Sequence, residues 1–385
     1  MKRLLRLTVA AAAVAVLPFA WQGAAQADSA KPGAAADIKS PPGVPQLNIS
    51  RPGGVAHIMP TVQGTAALQA FYAANAVGGA NANDMTYHGG PTMRPFVGVY
   101  DIFWNPASNT LQNGASCVVA GSTSCFSATY GRVEVQVSAW YQAHGLWATM
   151  TQYSDSQTIA NQTPFIQGGG GLGGFTVDAT ALPASGCTDT VTPGNCVTDA
   201  QLTTEIQAVM AKQGWTGSAT GQPITNFFAM FTPNGEGSCF DNTNASCAYT
   251  QYCAYHSFFT SGSLGTVIYG NEPYGTANGC WITGTPSPNQ DISADSASTA
   301  LVHEIAESVT DPLINAWFHV NAGGEIGDLC NFNFGTDTWS SGNNGAGVLD
   351  ANQMWNGSFF QVQRLWSNHD ADITGSTTGC VQAGR

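Results

Sequence analysis

Ten cysteines lie between positions 117 and 380, and they restrict the chain to folds in which these sulfur atoms can pair. An even number of cysteines in an exported chain is typical of a disulfide framework. Close spacing favours three local disulfides, and two further pairs then remain, although sequence alone leaves other pairings open. The predicted pairs are Cys117–Cys125, Cys187–Cys196, Cys239–Cys247, Cys253–Cys280 and Cys330–Cys380.

The first 27 residues have the composition of a signal peptide. The segment Lys2 to Arg6 carries three basic residues, residues 7–20 are mostly apolar, and Ala25 to Ala27 form a small-x-small cleavage site. The apolar run is short for a membrane span, and no later segment is long enough. We therefore expect a secreted, extracellular protein that is not an integral membrane protein, with a retained N-terminal anchor as the alternative.

The charge balance argues against nucleic acid as a partner. Without the three basic residues of the signal, the chain holds 8 basic and 24 acidic residues, a net charge of −16. Such a surface repels phosphate backbones. The hydrophobic content of 43% nevertheless supports a folded core.

Composition divides the exported chain into a flexible N-terminal arm over residues 28–64, rich in Ala, Pro and Gly, and a single domain over residues 65–385. Caps and apolar periodicity predict helices over residues 65–76, 198–214 and 294–309, and strands over residues 94–104, 224–232, 250–259, 265–271 and 358–366. The pattern of residues 133–147 fits either a helix or a strand. These elements predict an α+β (or α/β) fold with a mixed β-sheet, flanking helices and a loop-rich, disulfide-stapled C-terminal part.

The stretch ALVHEIAESVTDP, residues 300–312, contains the pattern H-E-x-x-E. Four residues separate His303 from Glu307, so both side chains lie on one face of a helix. Imidazole nitrogen and carboxylate oxygen are both zinc ligands. In H-E-x-x-H enzymes the position of Glu304 holds the general base that takes a proton from the attacking water. The pattern therefore predicts a metallopeptidase-like active-site helix that binds zinc, with Glu304 as the catalytic residue.

A third ligand is expected from the later stretch GGEIGDLC, residues 323–330. By analogy with thermolysin-like zinc peptidases, in which a later Glu completes the site, Glu325 is the first choice and Asp328 the second. The glycines allow a close backbone approach, and Cys330 can fasten the loop. His319 is also available nearby, although its spacing follows no known rule.

A structural interpretation competes with the metal site. H-E-x-x-E is a short pattern, and Glu304 and Glu307 can also face solvent on an ordinary helix. For His88 and His256, a structural hydrogen bond is the more common role. A Ser–His–Asp hydrolase is not supported, because the chain has no G-x-S-x-G elbow.

Several stretches in order resemble the phosphate-induced, EXORDIUM-like secreted proteins. The stretches are TYHGGP (residues 86–91), VGVYDIFW (97–104), VIYGN (267–271), HEIAESVTDPLINAWF (303–318), GEIGDLC (324–330) and FQVQRLWSN (360–368). The resemblance implies export and, in plants, association with the cell wall and with growth responses. The polar residues of H-E-x-x-E, together with Glu325 and Asp328, match polar positions of that family. Asp311-Pro312 stands where plant members have Asn-Pro.

Two functional hypotheses follow. The first is a secreted metal-dependent hydrolase, a zinc peptidase acting on peptides. The alternative is a non-catalytic extracellular protein that binds a cell-wall polymer or a receptor through exposed aromatic residues. Candidate stacking residues are Trp317, Trp339, Trp355 and Trp366, although a core position is more common for tryptophan.

Overall fold

The structure is a computed structural model that describes residues 38–51, 54–75, 84–106, 126–159, 162–189, 195–275, 277–343, 348–374 and 379–383. A seven-stranded sheet lies at its centre, with helices packed against it. The sheet contains both parallel and antiparallel pairs, which confirms the predicted α+β fold with a mixed sheet and flanking helices. The predicted signal peptide and the Cys117–Cys125 pair lie outside the described residues.

The strands, in chain order, are β1 (Asn48–Arg51), β2 (Gly54–Pro60), β3 (Thr86–Tyr87), β4 (Met93–Trp104), β5 (Gly171–Asp178), β6 (Cys187–Thr188), β7 (Asn195–Thr198), β8 (Ile224–Phe231), β9 (Ser238–Cys239), β10 (Tyr252–Ser261), β11 (Gly265–Glu272), β12 (Trp317–Phe318), β13 (Trp339–Asn343), β14 (Val348–Ala351), β15 (Gln353–Trp355), β16 (Ser358–Phe360), β17 (Leu365–Trp366) and β18 (Cys380–Val381). The α-helices are α1 (Val62–Asn75), α2 (Ala128–Trp140), α3 (Gly145–Ala148), α4 (Asp199–Gln213), α5 (Ala277–Cys280), α6 (Ile292–Thr310) and α7 (Asn368–Thr374). Short 3-10 helices cover Tyr141–Ala143, Thr149–Gln152 and Asp328–Cys330.

The central sheet has the strand order β1-β2-β10-β11-β8-β4-β5. The pairs from β1 to β11 are antiparallel, whereas the pairs from β11 to β5 are parallel. Two distant parts of the chain therefore meet in this sheet, because β2 pairs with β10 about 200 residues later.

Helices cover both faces of the sheet. Neighbouring residues on a strand point to opposite faces. Tyr255 of β10 donates a hydrogen bond from its hydroxyl to Asp199 at the start of α4, at 2.8 Å. The next residue, His256, lies beside Glu304 of α6. Thus α4 begins on one face, and α6 packs on the other with α2 beside it.

Helix α6 is the longest helix of the described residues, with 19 residues, and it is buried from Ala294 to Thr310. Its apolar residues, among them Leu301, Ile305 and Val309, are buried in the core. Among the helices of the described ranges, none is both long and apolar enough to cross a membrane. The burial of α6 means that its polar side chains lie inside the protein.

The structure corrects the predicted N-terminal arm from residue 48 onwards. Strands β1 and β2 pair with each other, and β2 lies inside the sheet beside β10. Ala56, Ile58 and Met59 of β2 are buried in the core. Their burial and the strand hydrogen bonds order a segment whose Ala, Pro and Gly content had indicated flexibility.

The structure resolves one open prediction, for residues 133–147, and corrects another, for residues 358–366. Residues 133–147 continue α2 and then form the 3-10 turn and α3, so the helical alternative is correct. The single strand predicted over residues 358–366 is instead two short strands, β16 and β17. The backbone amides of Arg364 and Trp366 donate to the carbonyls of Asn333 and Ile326. This stretch is therefore bound to the loop before it and does not extend as one strand.

Four of the predicted disulfides are present in the described residues. They are Cys187–Cys196, Cys239–Cys247, Cys253–Cys280 and Cys330–Cys380. The last closes a segment with a sequence separation of 50 residues, which confirms the disulfide-stapled C-terminal part. This disulfide also fixes the end of the 3-10 helix that carries Asp328.

Candidate metal centre

The ends of helix α6 set the position of the H-E-x-x-E residues. The carboxylate of Asp291 caps the helix by accepting hydrogen bonds from the amides of Ser293, at 3.1 Å, and Ala294, at 3.2 Å. The helix ends at Thr310, and Pro312 follows two residues later. The observed helix agrees with the predicted one to within two residues.

His303 and Glu307 face each other on α6, as the four-residue spacing predicted. Nε2 of His303 lies 2.9 Å from Oε1 of Glu307. On the other side of the ring, Nδ1 lies 3.2 Å from Oε1 of Gln363. Since an amide oxygen only accepts, Nδ1 donates the hydrogen bond, and a neutral ring then directs the lone pair of Nε2 at Glu307. This is the ring orientation that second-shell partners impose on metal-binding histidines.

Asp328 lies next to this pair. Its backbone amide donates to Oε1 of Glu307 at 3.1 Å, and its Oδ1 lies 3.8 Å from Nε2 of His303. From the sequence, Glu325 is the first choice for the third ligand and Asp328 the second. The structure instead brings Asp328 closest to the His303–Glu307 pair.

The glycines of the loop permit this close approach, as the sequence predicted. A Cβ atom on Gly327 would lie 2.6 Å from Nδ1 of His303. A Cβ atom on Gly324 would lie 2.1 Å from the hydroxyl oxygen of Tyr72. Any larger residue at either position would therefore have to displace the loop or the facing side chain.

Two strand histidines complete the cluster. His57 of β2 and His256 of β10 are direct register partners, and their ring centroids are 5.6 Å apart. Nε2 of His57 lies 2.6 Å from Oδ2 of Asp328, and its Nδ1 lies 2.8 Å from Oδ1 of Asn48. The sheet thus places an imidazole opposite the helix, on the far side of Asp328.

His256 lies against the other two glutamates. Its Nδ1 is 3.3 Å from Oε2 of Glu304 and 3.6 Å from Oε2 of Glu307. Glu325 sits between the strand histidines, with Oε1 3.3 Å from Nδ1 of His57 and Oε2 3.9 Å from Nε2 of His256. All four predicted carboxylates therefore belong to one cluster.

Within this cluster, two groups of three side chains can each supply converging ligand atoms within 4.8 Å of one another. The groups are His57, Glu307 and Asp328, and His256, Glu304 and Glu307. Zinc–ligand bonds of about 2.1 Å place tetrahedral ligand atoms about 3.4 Å apart. The distances in the cluster, from 2.6 to 3.9 Å, lie around this value.

The cluster leaves many buried polar atoms without a hydrogen-bond partner among the described residues. Its seven ionisable residues, His57, His256, His303, Glu304, Glu307, Glu325 and Asp328, are all 0% exposed. The unpartnered atoms are Nε2 of His256 and His303, Oε1 of Glu304, Oε2 of Glu307, both oxygens of Glu325, and Oδ1 of Asp328. Most buried polar atoms in proteins are paired. A set of inward-facing nitrogen and oxygen atoms is the donor set that a metal cation requires.

The electrostatics of the cluster also favour a cation. Burial, together with the charge of Glu307, raises the pKa of Glu304 well above its usual range. Burial and the surrounding carboxylates do the same to the pKa of Glu325. Burial lowers the pKa of His303, but Glu307, Asp328 and the hydrogen bond with Gln363 together raise it on balance. Burial likewise raises the pKa of Glu307, but His303 and His57 lower it more, well below its ordinary value. The cluster therefore attracts positive charge at each of these positions.

The other histidines noted in the sequence lie outside the cluster. The ring of His88 stacks on Phe318 with centroids 3.6 Å apart, and Nδ1 of His319 lies 2.9 Å from the backbone oxygen of Asn321. His57 was not predicted as a ligand. The available signal was a single polar side chain within the apolar run GVAHIMP of β2.

Replacing Gly327 with alanine is expected to lower the free energy of unfolding by about 1–3 kcal/mol, because the added methyl group overlaps the His303 ring. Chemical denaturation measures the change. The control is Gly262→Ala, where an added Cβ meets no atom within 4 Å. The control should change stability by no more than about 0.5 kcal/mol. If both substitutions changed the free energy of unfolding equally, residue 327 would not be in close contact with the His303 ring.

Comparisons with known proteins agree with the ordered motifs. Residues 270–368 match the family model described as "Phosphate-induced protein 1 conserved region". This range includes α6 and the loop with Glu325 and Asp328. Over 328 residues the chain is 25% identical to "Protein EXORDIUM-like 3" of Arabidopsis thaliana, covering 77% of this chain and 85% of that protein. No solved structure matches the chain. The two sequence matches support the resemblance to phosphate-induced, EXORDIUM-like proteins.

Proposed function

We propose that this protein is a secreted zinc-dependent hydrolase, with Glu307, Asp328, His57 and His303 holding the metal. One observation carries the proposal: these side chains converge in a fully buried cluster in which Nε2 of His303, Oε2 of Glu307 and Oδ1 of Asp328 lack hydrogen-bond partners among the described residues. Mixed imidazole and carboxylate ligands suit zinc better than calcium, which prefers oxygen alone. The predicted signal peptide and the disulfides support an extracellular location.

The residues around the site have distinct roles in this proposal. Bound zinc would supply a water with a pKa near 7, about the value found in zinc hydrolases. Glu304 is the proposed general base, because its Oε1 has no hydrogen-bond partner among the described residues. Burial, with the charge of Glu307, raises the pKa of Glu304, and a cation bound beside it would lower that pKa and favour the ionised carboxylate that a general base requires. Gln363 positions His303 by binding both its ring and the carbonyl of Gly327.

A groove whose lining includes Asn331, three residues after Asp328, is the proposed binding surface for a peptide substrate. It has a volume of about 400 Å³ and is lined by Val62, Gln69, Ile282 and residues 331–334. Its Asn331 directly follows the 3-10 helix that begins with Asp328. Grooves of about 300–1,000 Å³ are typical of small-ligand sites.

The test begins with the zinc content of the purified protein. We expect near-stoichiometric zinc in the wild type and its loss in His303→Ala, because the variant removes a nitrogen ligand. The control is His369→Ala, which removes an exposed histidine outside the cluster and should leave the zinc content unchanged.

The Glu304→Gln variant should still bind zinc at this site, but its rate of peptide hydrolysis should be about 10²–10⁴-fold lower than that of the wild type. A folded, metal-free wild type would refute the proposal.

A second candidate is a non-catalytic protein that uses the metal for stability. Complete burial favours it, because no ligand of the cluster reaches solvent among the described residues. Trp355 and Trp366 are core residues, whereas Trp339 is 42% exposed and can stack on a cell-wall polymer. Zinc-loaded protein that binds insoluble wall polysaccharide but hydrolyses no member of a peptide library would favour this candidate.

A further inference from the structure

We propose that a second divalent cation binds at His256, Glu304 and Glu307, so that Glu307 is shared between two metal ions. The inference rests on the proposed zinc site and deepens it into a two-metal centre. Glu304 would bind this ion through Oε2, which lies beside His256, while its Oε1 stays available as the general base.

The geometry separates this second site from the first. Nδ1 of His256 lies 3.3 Å from Oε2 of Glu304 and 3.6 Å from Oε2 of Glu307. The first group consists of His57, Glu307 and Asp328, so the two groups share Glu307 alone. Oε2 of Glu307 lies between the two strand histidines, 3.8 Å from Nε2 of His57. A shared carboxylate in this position is suited to two ions about 3.5–4 Å apart.

An unpartnered atom provides independent support at the second site. Of the atoms that face the second group, Oε2 of Glu307 has no hydrogen-bond partner among the described residues, and its side chain is 0% exposed. Nδ1 of His256 lies 3.3 Å from Oε2 of Glu304, which completes the group. One ion bound through Oε1 of Glu307 would leave Oε2 unused, and burying that oxygen unpaired is costly.

The charge of the cluster points to two ions. Glu304, Glu307, Glu325 and Asp328 carry four negative charges when ionised. The lysine and arginine ion pairs of the described residues involve Asp155 and Asp178 instead. With all four carboxylates ionised and the three histidines neutral, one divalent ion would compensate half of the charge, whereas two would compensate all of it. Buried charge without compensation is strongly unfavourable.

Zinc per chain is the decisive measurement, made by elemental analysis after zinc loading and removal of unbound metal. We expect two zinc ions in the wild type and one in either His256→Ala or Glu304→Gln. The control is Glu134→Gln, which removes a carboxylate that is equally buried but outside the cluster, and it should keep two. In addition, X-ray absorption of cobalt-loaded wild type should show a metal–metal distance of about 3.5–4 Å.

The outcomes separate this inference from the proposed function. A wild type with no zinc overturns both. A wild type with one zinc overturns the second site alone. Two zinc ions that His256→Ala does not reduce would show that the second ion is adventitious, and would also overturn it. If His256→Ala does not fold, the metal–metal distance in the wild type decides, and its absence counts against the second site.

Discussion

Removal of zinc with EDTA is expected to lower the free energy of unfolding by about 4 kcal/mol, relative to protein with free zinc a thousandfold above its dissociation constant. The physical reason is the crowding of four carboxylates in a space that is 0% exposed. Bound metal compensates their charge and satisfies their oxygens only in the folded state. Urea unfolding with and without EDTA measures the difference.

The His303→Ala variant is the control for this prediction. In the presence of zinc, the free energy of unfolding of the variant should be lower than that of the wild type. EDTA should lower it much less than it lowers that of the wild type. Identical unfolding curves for the wild type in zinc and in EDTA would contradict the metal centre. An equal loss of stability in the two proteins would show that EDTA acts elsewhere on the chain.

Local patterns in the sequence were sufficient to predict the helix half of the candidate site. The spacing of His303 and Glu307 places them on one helical face whatever the rest of the fold, and the Asp–Pro pair marks the helix end. Glycines at 324 and 327 indicated a close backbone approach, and the structure places them against Tyr72 and His303. These inferences depend only on residues near each other in the chain.

The two histidines that the β-sheet contributes to the site could not be predicted in the same way. His57 and His256 meet only because β2 pairs with β10 in one particular register. A shift of one residue would turn one of these rings to the opposite face. No local pattern encodes a pairing across about 200 residues, and the composition of residues 28–64 suggested an arm.

The choice between Glu325 and Asp328 shows a similar limit. Their spacing alone does not say which carboxylate approaches His303, because that depends on the turn between them. The 3-10 helix that begins at Asp328 directs its amide to Glu307, while Glu325 faces the strand histidines. Gln363 was likewise hidden within a stretch that reads as a strand, although its amide contacts both His303 and Gly327.

Replacing Asp155 with alanine is expected to lower the free energy of unfolding by about 3–5 kcal/mol, because it leaves a buried arginine without its partner. Arg94 donates to Asp155 through Nε at 3.0 Å and through Nη2 at 2.7 Å, and both side chains are 1% exposed. The same carboxylate accepts hydrogen bonds from the amide and hydroxyl of Thr92. Chemical denaturation of the zinc-loaded protein measures the loss.

An ion pair with one exposed partner is the control for this substitution. Lys212 lies 3.2 Å from Asp178, whose side chain is 2% exposed, but the lysine side chain is 65% exposed, so solvent screens the interaction. Lys212→Ala should therefore cost no more than about 1 kcal/mol, because the remaining carboxylate keeps a hydrogen bond from the amide of Thr180 at 3.2 Å. Both substitutions remove one ion pair, but only Asp155→Ala leaves a buried arginine without its carboxylate. If both substitutions lowered the free energy of unfolding equally, Arg94 would have to bind another group or reach solvent when Asp155 is removed.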